Sequence, residues 1–269
     1  MPFTKIDWSR LWKEARAREK RRKGPDVWDR RAPSFAKHAL QSPYVQDFIR
    51  LLSPDPSWSV VDVGSGPGTL AIPLAGKVRE ITAIDFSGAM IDILKRECAC
   101  RGIKNITAIK ASWEDDWNVI GIRPHDVAIA SRSIVVDDLE AALLKLDGIA
   151  TKQVYISAPV GDGPVDRRFF DAVGREFPER PDYIYVYNLL HQLGILADVT
   201  FITLRDKKIY DSFGEAFESN KWMFDNITQE EEERLVNYLK DHLTPEGEGL
   251  SMSYERIIRW AVISWKKQT

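Results

Sequence analysis

Cysteine and histidine are scarce in this chain, two and four residues among 269. Cys98 and Cys100 stand two apart, with no second Cys or His cluster to complete a zinc site. Two residues apart on a helix they point in different directions, which argues against a disulfide framework as well. No apolar run approaches 18 residues, and the N-terminus mixes charge with tryptophan instead of presenting a signal-peptide core. Neither a membrane span nor export is therefore expected, and the Asn105-Ile-Thr and Asn226-Ile-Thr sequons should never meet glycosylation enzymes. A surplus of one charge sign is missing too. Lys plus Arg number 38 and Asp plus Glu 40, for a net charge of −2, so a whole-protein basic field for gripping nucleic acid is absent. What is present is a chain with 44% apolar residues, enough to bury the core of one large domain, expected in the cytoplasm.

Charge and pattern divide the chain. Residues 1–37 hold 12 Lys/Arg against 5 Asp/Glu, a local +7, leaving −9 for the remainder. Thr4-x-x-Asp7 has the form of a capping box, with Ile6, Trp8, Leu11, Trp12 and Ala15 near one helical face. Gly24-Pro25 ends that helix, and Asp26 suits the cap of a short helix around Trp28. Ser42-Pro43 opens another, with Tyr44, Val45, Phe48, Leu51 and Leu52 as its buried stripe. From Trp58 strands and helices alternate. Strands are expected at 59–63, 81–84, 106–109, 127–130 and 153–157, and helices at 69–75, 88–101 and 139–146. This rhythm implies βαβ units and a parallel sheet covered on both faces, hence an α/β fold. Beyond Ser157 the reading is looser. Helices are expected at 169–177 and 183–193, then strands at 199–204 and 257–265, separated by two helices opening at Ser212-x-x-Glu215 and Thr228-x-x-Glu231.

The segment that carries chemistry is Val60-Val61-Asp62-Val63-Gly64-Ser65-Gly66-Pro67-Gly68-Thr69-Leu70. A strand delivers Asp62, and three glycines alternate through the turn, allowing positive φ and close approach of a ligand to backbone. A helix N-terminus follows, with free N–H groups suited to an anion. The second strand ends in Asp85, 21 residues after Gly64, where a carboxylate can accept both hydroxyls of a ribose. These features describe a nucleoside site at the carboxyl edge of the sheet. Glycine spacing discriminates between nucleosides. A dinucleotide fingerprint, G-x-G-x-x-G, would need glycine where Thr69 stands. A P-loop would need glycine five residues before Gly76-Lys77.

Asp-x-Gly-x-Gly-x-Gly with an acid closing the second strand resembles the class I S-adenosylmethionine-dependent methyltransferases, with motif support over roughly residues 58–158. The resemblance implies a Rossmann-like, seven-stranded, mostly parallel sheet with an antiparallel last strand. It implies N-terminal helices capping the cofactor (1–56), the core (57–208) and the final strand (247–269), whereas residues 209–246 depart from the many relatives that join the last two strands by a tight hairpin and read as a helical insertion serving substrate selection or dimerisation. It also implies roles in holding S-adenosylmethionine. Asp62, Gly64, Ser65, Gly66 and Gly68 would surround the methionine moiety and its amino group, and Asp85 would hold the ribose. Phe86 and Met90 would lie beside the adenine, although core packing is an equal reading of both. Relatives often carry an Asp after the third strand to accept the adenine amino group. Here Ser112 and Trp113 stand at that position and the next, and Glu114 or Asp115 are alternatives for the acid. Ser131 would lie near the methyl group, and Arg31 would pair with the methionine carboxylate.

Methyl transfer from a sulfonium is an in-line displacement in which positioning supplies most of the acceleration, so the lack of a catalytic signature is expected. A general base is needed only for a protonated acceptor. The Asn/Asp-Pro-Pro-Tyr loop of many amino-group methylases is replaced by Ser131-Arg132-Ser133, and no Cys follows strand four or five as covalent cytosine methylation would require. Tyr183, Tyr187 and His191 share a helical face, making Tyr187 and His191 candidates for the acceptor pocket, with a core aromatic stripe as the plainer alternative. The resulting expectation is a methyltransferase acting on a small molecule. An RNA or protein methylase using the basic N-terminal arm, and a non-catalytic nucleoside-binding subunit, are the alternatives.

Overall fold

Alternating apolar runs become strands at each of the five expected places. A computed structural model describes residues 6–18, 24–39 and 42–267. Three helices come first: α1 (Trp8–Arg18), α2 (Pro25–Ala39) and α3 (Pro43–Leu52). The alternating region follows as β1 (Ser59–Val63), α4 (Ala71–Leu74), β2 (Glu80–Asp85), α5 (Gly88–Arg101), β3 (Ile106–Lys110), α6 (Trp117–Ile120), β4 (His125–Ser131), α7 (Leu139–Ile149) and β5 (Ala150–Pro159). The rest comprises α8 (Arg167–Val173), α9 (Tyr183–Gln192), β6 (Asp198–Asp206), β7 (Ile209–Tyr210), α10 (Phe213–Lys221), α11 (Gln229–His242), β8 (Leu243–Glu246), β9 (Gly249–Met252) and β10 (Arg256–Lys266).

The main sheet has seven strands in the order β3-β2-β1-β4-β5-β10-β6, mostly parallel with an antiparallel strand. All five residues of β1 are buried, since it runs parallel between β2 and β4 under helices on both faces. Its register sets the site: Asp62 pairs with Ala83 on one side and Ile129 on the other, so the carboxyl ends of β1, β2 and β4 share one edge. The strand order reverses between β1 and β4, which is where open α/β sheets form their crevice.

The chain divides into two compact units. The first comprises Met1–Ala158, Pro181–Ile202 and Ala261–Thr269. Within it, α1 lies against α9. The Trp8 and Trp12 rings meet Tyr185 edge-on, and the Trp12 indole N–H donates to the Val136 carbonyl. Thr4 lies outside the described residues, and the cap of α1 is Asp7 itself, whose carboxylate accepts the Arg10 N–H. Leu51 was expected in the buried stripe of α3, yet it is exposed while Tyr44, Val45, Phe48 and Leu52 are buried. The short helix expected around Trp28 extends over all 15 residues of α2.

The second unit comprises Pro159–Arg180 and Thr203–Trp260. Its core is made by Val165, Phe169, Phe170 and Val173 packing with Phe224, Leu235 and Leu239. Residues 165–173 thus share apolar contacts with the helices of 209–246. Thr228 and Glu231 form a complete capping box, whereas the Glu215 carboxylate turns to the Asp211 N–H. This unit also contains a three-stranded antiparallel sheet, β7-β9-β8. Strands of two to four residues, one of them containing Pro245, carry no readable alternation, so the sequence pattern shows only helices over 209–246. Among the described residues no helix is long and apolar enough to cross a membrane, and no cluster of three or more His, Cys, Asp or Glu could hold a metal.

Candidate active site

The three glycines of the turn do different work. All have positive φ, 72° at Gly64, 56° at Gly66 and 90° at Gly68. The Gly64 and Ser65 N–H groups donate to the Ile84 carbonyl at 2.8 and 3.0 Å, tying the turn to the end of β2. A Cβ at Gly64 would fall 2.3 Å from Ser133 Cβ, and one at Gly68 would fall 2.5 Å from Leu94 Cδ1 on α5. Both are packing glycines. Only at Gly66 would a Cβ meet no clash, with Phe35 of α2 in ordinary contact at 3.8 Å. The helix expected at 69–75 shortens to the four residues of α4, too few to develop a dipole for an anion.

The exposed donor of this turn is instead paired with an acid. Asp85 Oδ2 accepts the Gly66 N–H at 2.8 Å and Oδ1 accepts the Ser87 N–H at 2.9 Å. Burial raises the Asp85 pKa against the opposing pull of those two N–H groups. Asp62 is buried beneath the turn, and burial, then the Asp85 charge, push its pKa up to about 7. Its Oδ2 and the hydroxyl of buried Ser65 have no hydrogen-bond partner. A buried polar atom left unsatisfied costs about 1–3 kcal/mol, so two at one turn mark a place built for a ligand that donates hydrogen bonds.

Two residues that sequence reading missed roof this turn. Asp29 of α2 accepts hydrogen bonds from the Ser87 hydroxyl at 2.5 Å and the Ala89 N–H at 3.1 Å, which lower its pKa. Six residues further along α2, Phe35 meets Trp28 edge-on and covers Gly66. Neither residue belongs to a local motif; the partners of Asp29, and Gly66 beneath Phe35, lie in other segments of the chain. Arg31, on the same helix, has its guanidinium 5.7 Å from the centre of the Trp28 ring.

Phe86 is half-buried after Asp85, and Met90 is buried with its N–H capped by Ser87 Oγ. Beyond β3, the Ser112 N–H donates to Asp115 Oδ2 and Ser112 Oγ accepts the Glu114 N–H. Asp115 is thereby committed to backbone, and Glu114 points to solvent. The Trp113 indole N–H donates to the Ser133 carbonyl at 3.3 Å, joining the loops after β3 and β4. Ser131 bonds the Tyr44 hydroxyl at 2.7 Å. Asp62, the glycine turn, Asp85, Phe86 and Met90 thus converge with Trp113 and Ser131 along the sheet edge. Tyr187 and His191 do not join them. They occupy the exposed face of α9, whose buried face is Val186, Leu189 and Leu190. Tyr183, at the start of the stripe, is half-buried with its ring edge-on to Phe201.

Residues 60–147, spanning β1 through most of α7, match a family described as a methyltransferase domain. The chain carries a methyltransferase domain with the motif and fold of the class I S-adenosylmethionine-dependent methyltransferases. This methyltransferase is 31% identical over 244 residues to an uncharacterized protein of Haemophilus influenzae, covering 90% of this chain and 89% of that one. In fold it is similar to the YcgJ protein of Bacillus subtilis (TM-score 0.56, 13% identity, 84% of this chain and 98% of that one). It is likewise similar to a SAM-dependent methyltransferase of Thermotoga maritima (TM-score 0.53, 15% identity, 90% and 99%). At such identities the two likenesses concern the fold. S-adenosylmethionine is the cofactor of that class.

Proposed function

We propose that this methyltransferase acts on a small-molecule acceptor, with its cofactor held at the glycine turn. The buried, unpartnered Asp62 Oδ2 and Ser65 Oγ suit the cofactor's amino group, and Asp85 suits a ribose diol. Phe86, Met90, Ser112 and Trp113 would flank the adenine. Bound there, the cofactor supplies an electrophilic methyl carbon on a sulfonium. The chain's own contribution is to hold that end in line with an acceptor and to exclude water beneath α2.

The observation that favours a small acceptor is the docking of the basic N-terminal helix. In α1, Trp12 and Arg16 are buried, Lys13 pairs with Asp138 at 2.7 Å, and Arg10 pairs with Glu14. That arrangement is a packed structural element, in contrast to an extended arm for RNA. Methyl-labelled cofactor incubated with a cell extract split into small-molecule and macromolecular fractions tests the reading. Label in the small-molecule fraction is expected; label confined to RNA or protein would sink it. Release of S-adenosylhomocysteine in the same reaction separates an enzyme from a nucleoside-binding subunit.

A further inference from the structure

A second polar cluster stands at the carboxyl ends of β4 and β5. Ser131 closes β4 in register with Ser157 of β5. Tyr44, fully buried, bonds Ser131 Oγ at 2.7 Å and donates to Ser157 Oγ at 2.6 Å. The next residue, Arg132, is in left-handed backbone with φ 56°. That conformation costs a residue with a side chain about 1–2 kcal/mol and persists only where its surroundings enforce it. Ser157 enforces it here, its hydroxyl accepting the Arg132 N–H at 2.9 Å and its carbonyl at 3.3 Å. The guanidinium lies 4.3 Å from the centre of the Tyr44 ring, half-buried. Ser133, the following residue, abuts Gly64 and donates to the Val63 carbonyl. Arg132 is thus fixed between a serine on Tyr44 and a serine on the glycine turn.

We propose that Arg132 is the carboxylate-binding residue of the methyl-transfer site. The inference rests on the cofactor reading above and deepens it. Asp62 Oδ2 and Ser65 Oγ suit an ammonium group, but the methionine end of the cofactor is a zwitterion, and its carboxylate needs a cation at the same sheet edge. Ser133, the next residue, packs on Gly64 and bonds the Val63 carbonyl, so the chain at Arg132 is tied to the strand end that carries Asp62. A guanidinium offers a planar fork that matches a carboxylate with two hydrogen bonds. Seated on an aromatic face, it has less rotamer freedom to lose on binding. An acceptor bearing a carboxylate is the second source of the same chemistry. Arg31, placed on α2 beside Trp28, is the rival suggested by sequence alone.

Calorimetric titrations of S-adenosylhomocysteine and 5′-methylthioadenosine decide the matter. The second ligand keeps the adenosine and sulfur but lacks the amino-acid end. Arg132→Gln should weaken S-adenosylhomocysteine roughly 10- to 100-fold and leave 5′-methylthioadenosine unchanged, with partial recovery in Arg132→Lys. Arg132→Lys carries the comparison by itself if Arg132→Gln does not fold. Where S-adenosylhomocysteine affinity is unaffected, benzoate is titrated onto the S-adenosylhomocysteine-loaded protein by saturation-transfer NMR. Benzoate binding lost on substitution assigns the carboxylate to the acceptor. Equal weakening of both nucleosides overturns the proposal, as does binding of S-adenosylhomocysteine and benzoate that is indifferent to Arg132. A wild type that takes up neither nucleoside would instead sink the cofactor reading, and benzoate titration of the free protein would still decide the role of Arg132.

Discussion

Ser133 occupies the space a side chain at Gly64 would need, its Cβ 2.3 Å from the position of a Gly64 Cβ, while its hydroxyl donates to the Val63 carbonyl. The loop after β4 is thereby clamped onto the end of β1. Gly64→Ala combines a left-handed φ penalty of about 1–2 kcal/mol with an overpacking cost of about 1–3 kcal/mol. The double variant Gly64→Ala/Ser133→Gly should recover the second part only. Urea midpoints check both values; equal destabilisation of single and double variants would refute the clamp.

Asp62 makes the free protein's stability depend on pH. Its pKa stands at about 7 when folded, against an ordinary value of 3.8. Between those values the folded state keeps a proton that the unfolded chain has released. The stabilisation is full below about pH 4 and is lost as pH rises through 7, a contribution on the order of 4 kcal/mol. Raised by burial, Asp85 acts in the same direction. Asp62→Asn lacks the Asp62 titration, so the wild type should lose thermal stability relative to the variant between pH 5 and 8. A ligand ammonium favours the ionised carboxyl, so S-adenosylhomocysteine affinity should fall below pH 7 in wild type but not in Asp62→Asn. A stability difference flat across this range would rule out the buried protonated carboxyl.

Asp85 already holds two backbone N–H groups, one on each oxygen. Asp85→Asn keeps one acceptor and turns an NH2 toward the other partner, removing charge and the second acceptor together. Weakening of S-adenosylhomocysteine by roughly 10-fold or more is expected. Calorimetry with adenine as ligand should show little change, since the loss concerns the ribose. Equal losses for both ligands would show that Asp85 acts through the shape of the turn.

Tyr187 and His191 provide the opposite expectation. On the exposed face of α9, Tyr187→Ala and His191→Ala should shift stability by no more than about 0.5 kcal/mol and leave S-adenosylhomocysteine affinity unchanged. Thermal melts and titration check both, and a large loss in either would return that helix face to the site.

The fold class and the glycine turn were legible in the amino-acid sequence because both are written over short spans. Apolar runs of about five residues followed by helical periodicity specify βαβ units, and Asp62 through Gly68 with Asp85 specify the turn and its acid. The positive φ expected of the three glycines is present at each, but the spacing did not show what packs against them. Gly64 and Gly68 answer to Ser133 and Leu94, which only folding brings near. Asp29 meets Ser87 across 58 residues, and Tyr44 meets Ser157 across 113. Such pairs obey no period, so the roof of α2, the Tyr44–Arg132 cluster and the exposure of the α9 aromatics followed from packing. The second unit shows the same division. Its helices announce themselves through Ser212 and Thr228, whereas its core joins Phe169 and Phe170 to Leu235 and Leu239 from separate stretches of chain. Local periodicity determined which elements form; burial of apolar faces in three dimensions decided which side chains meet.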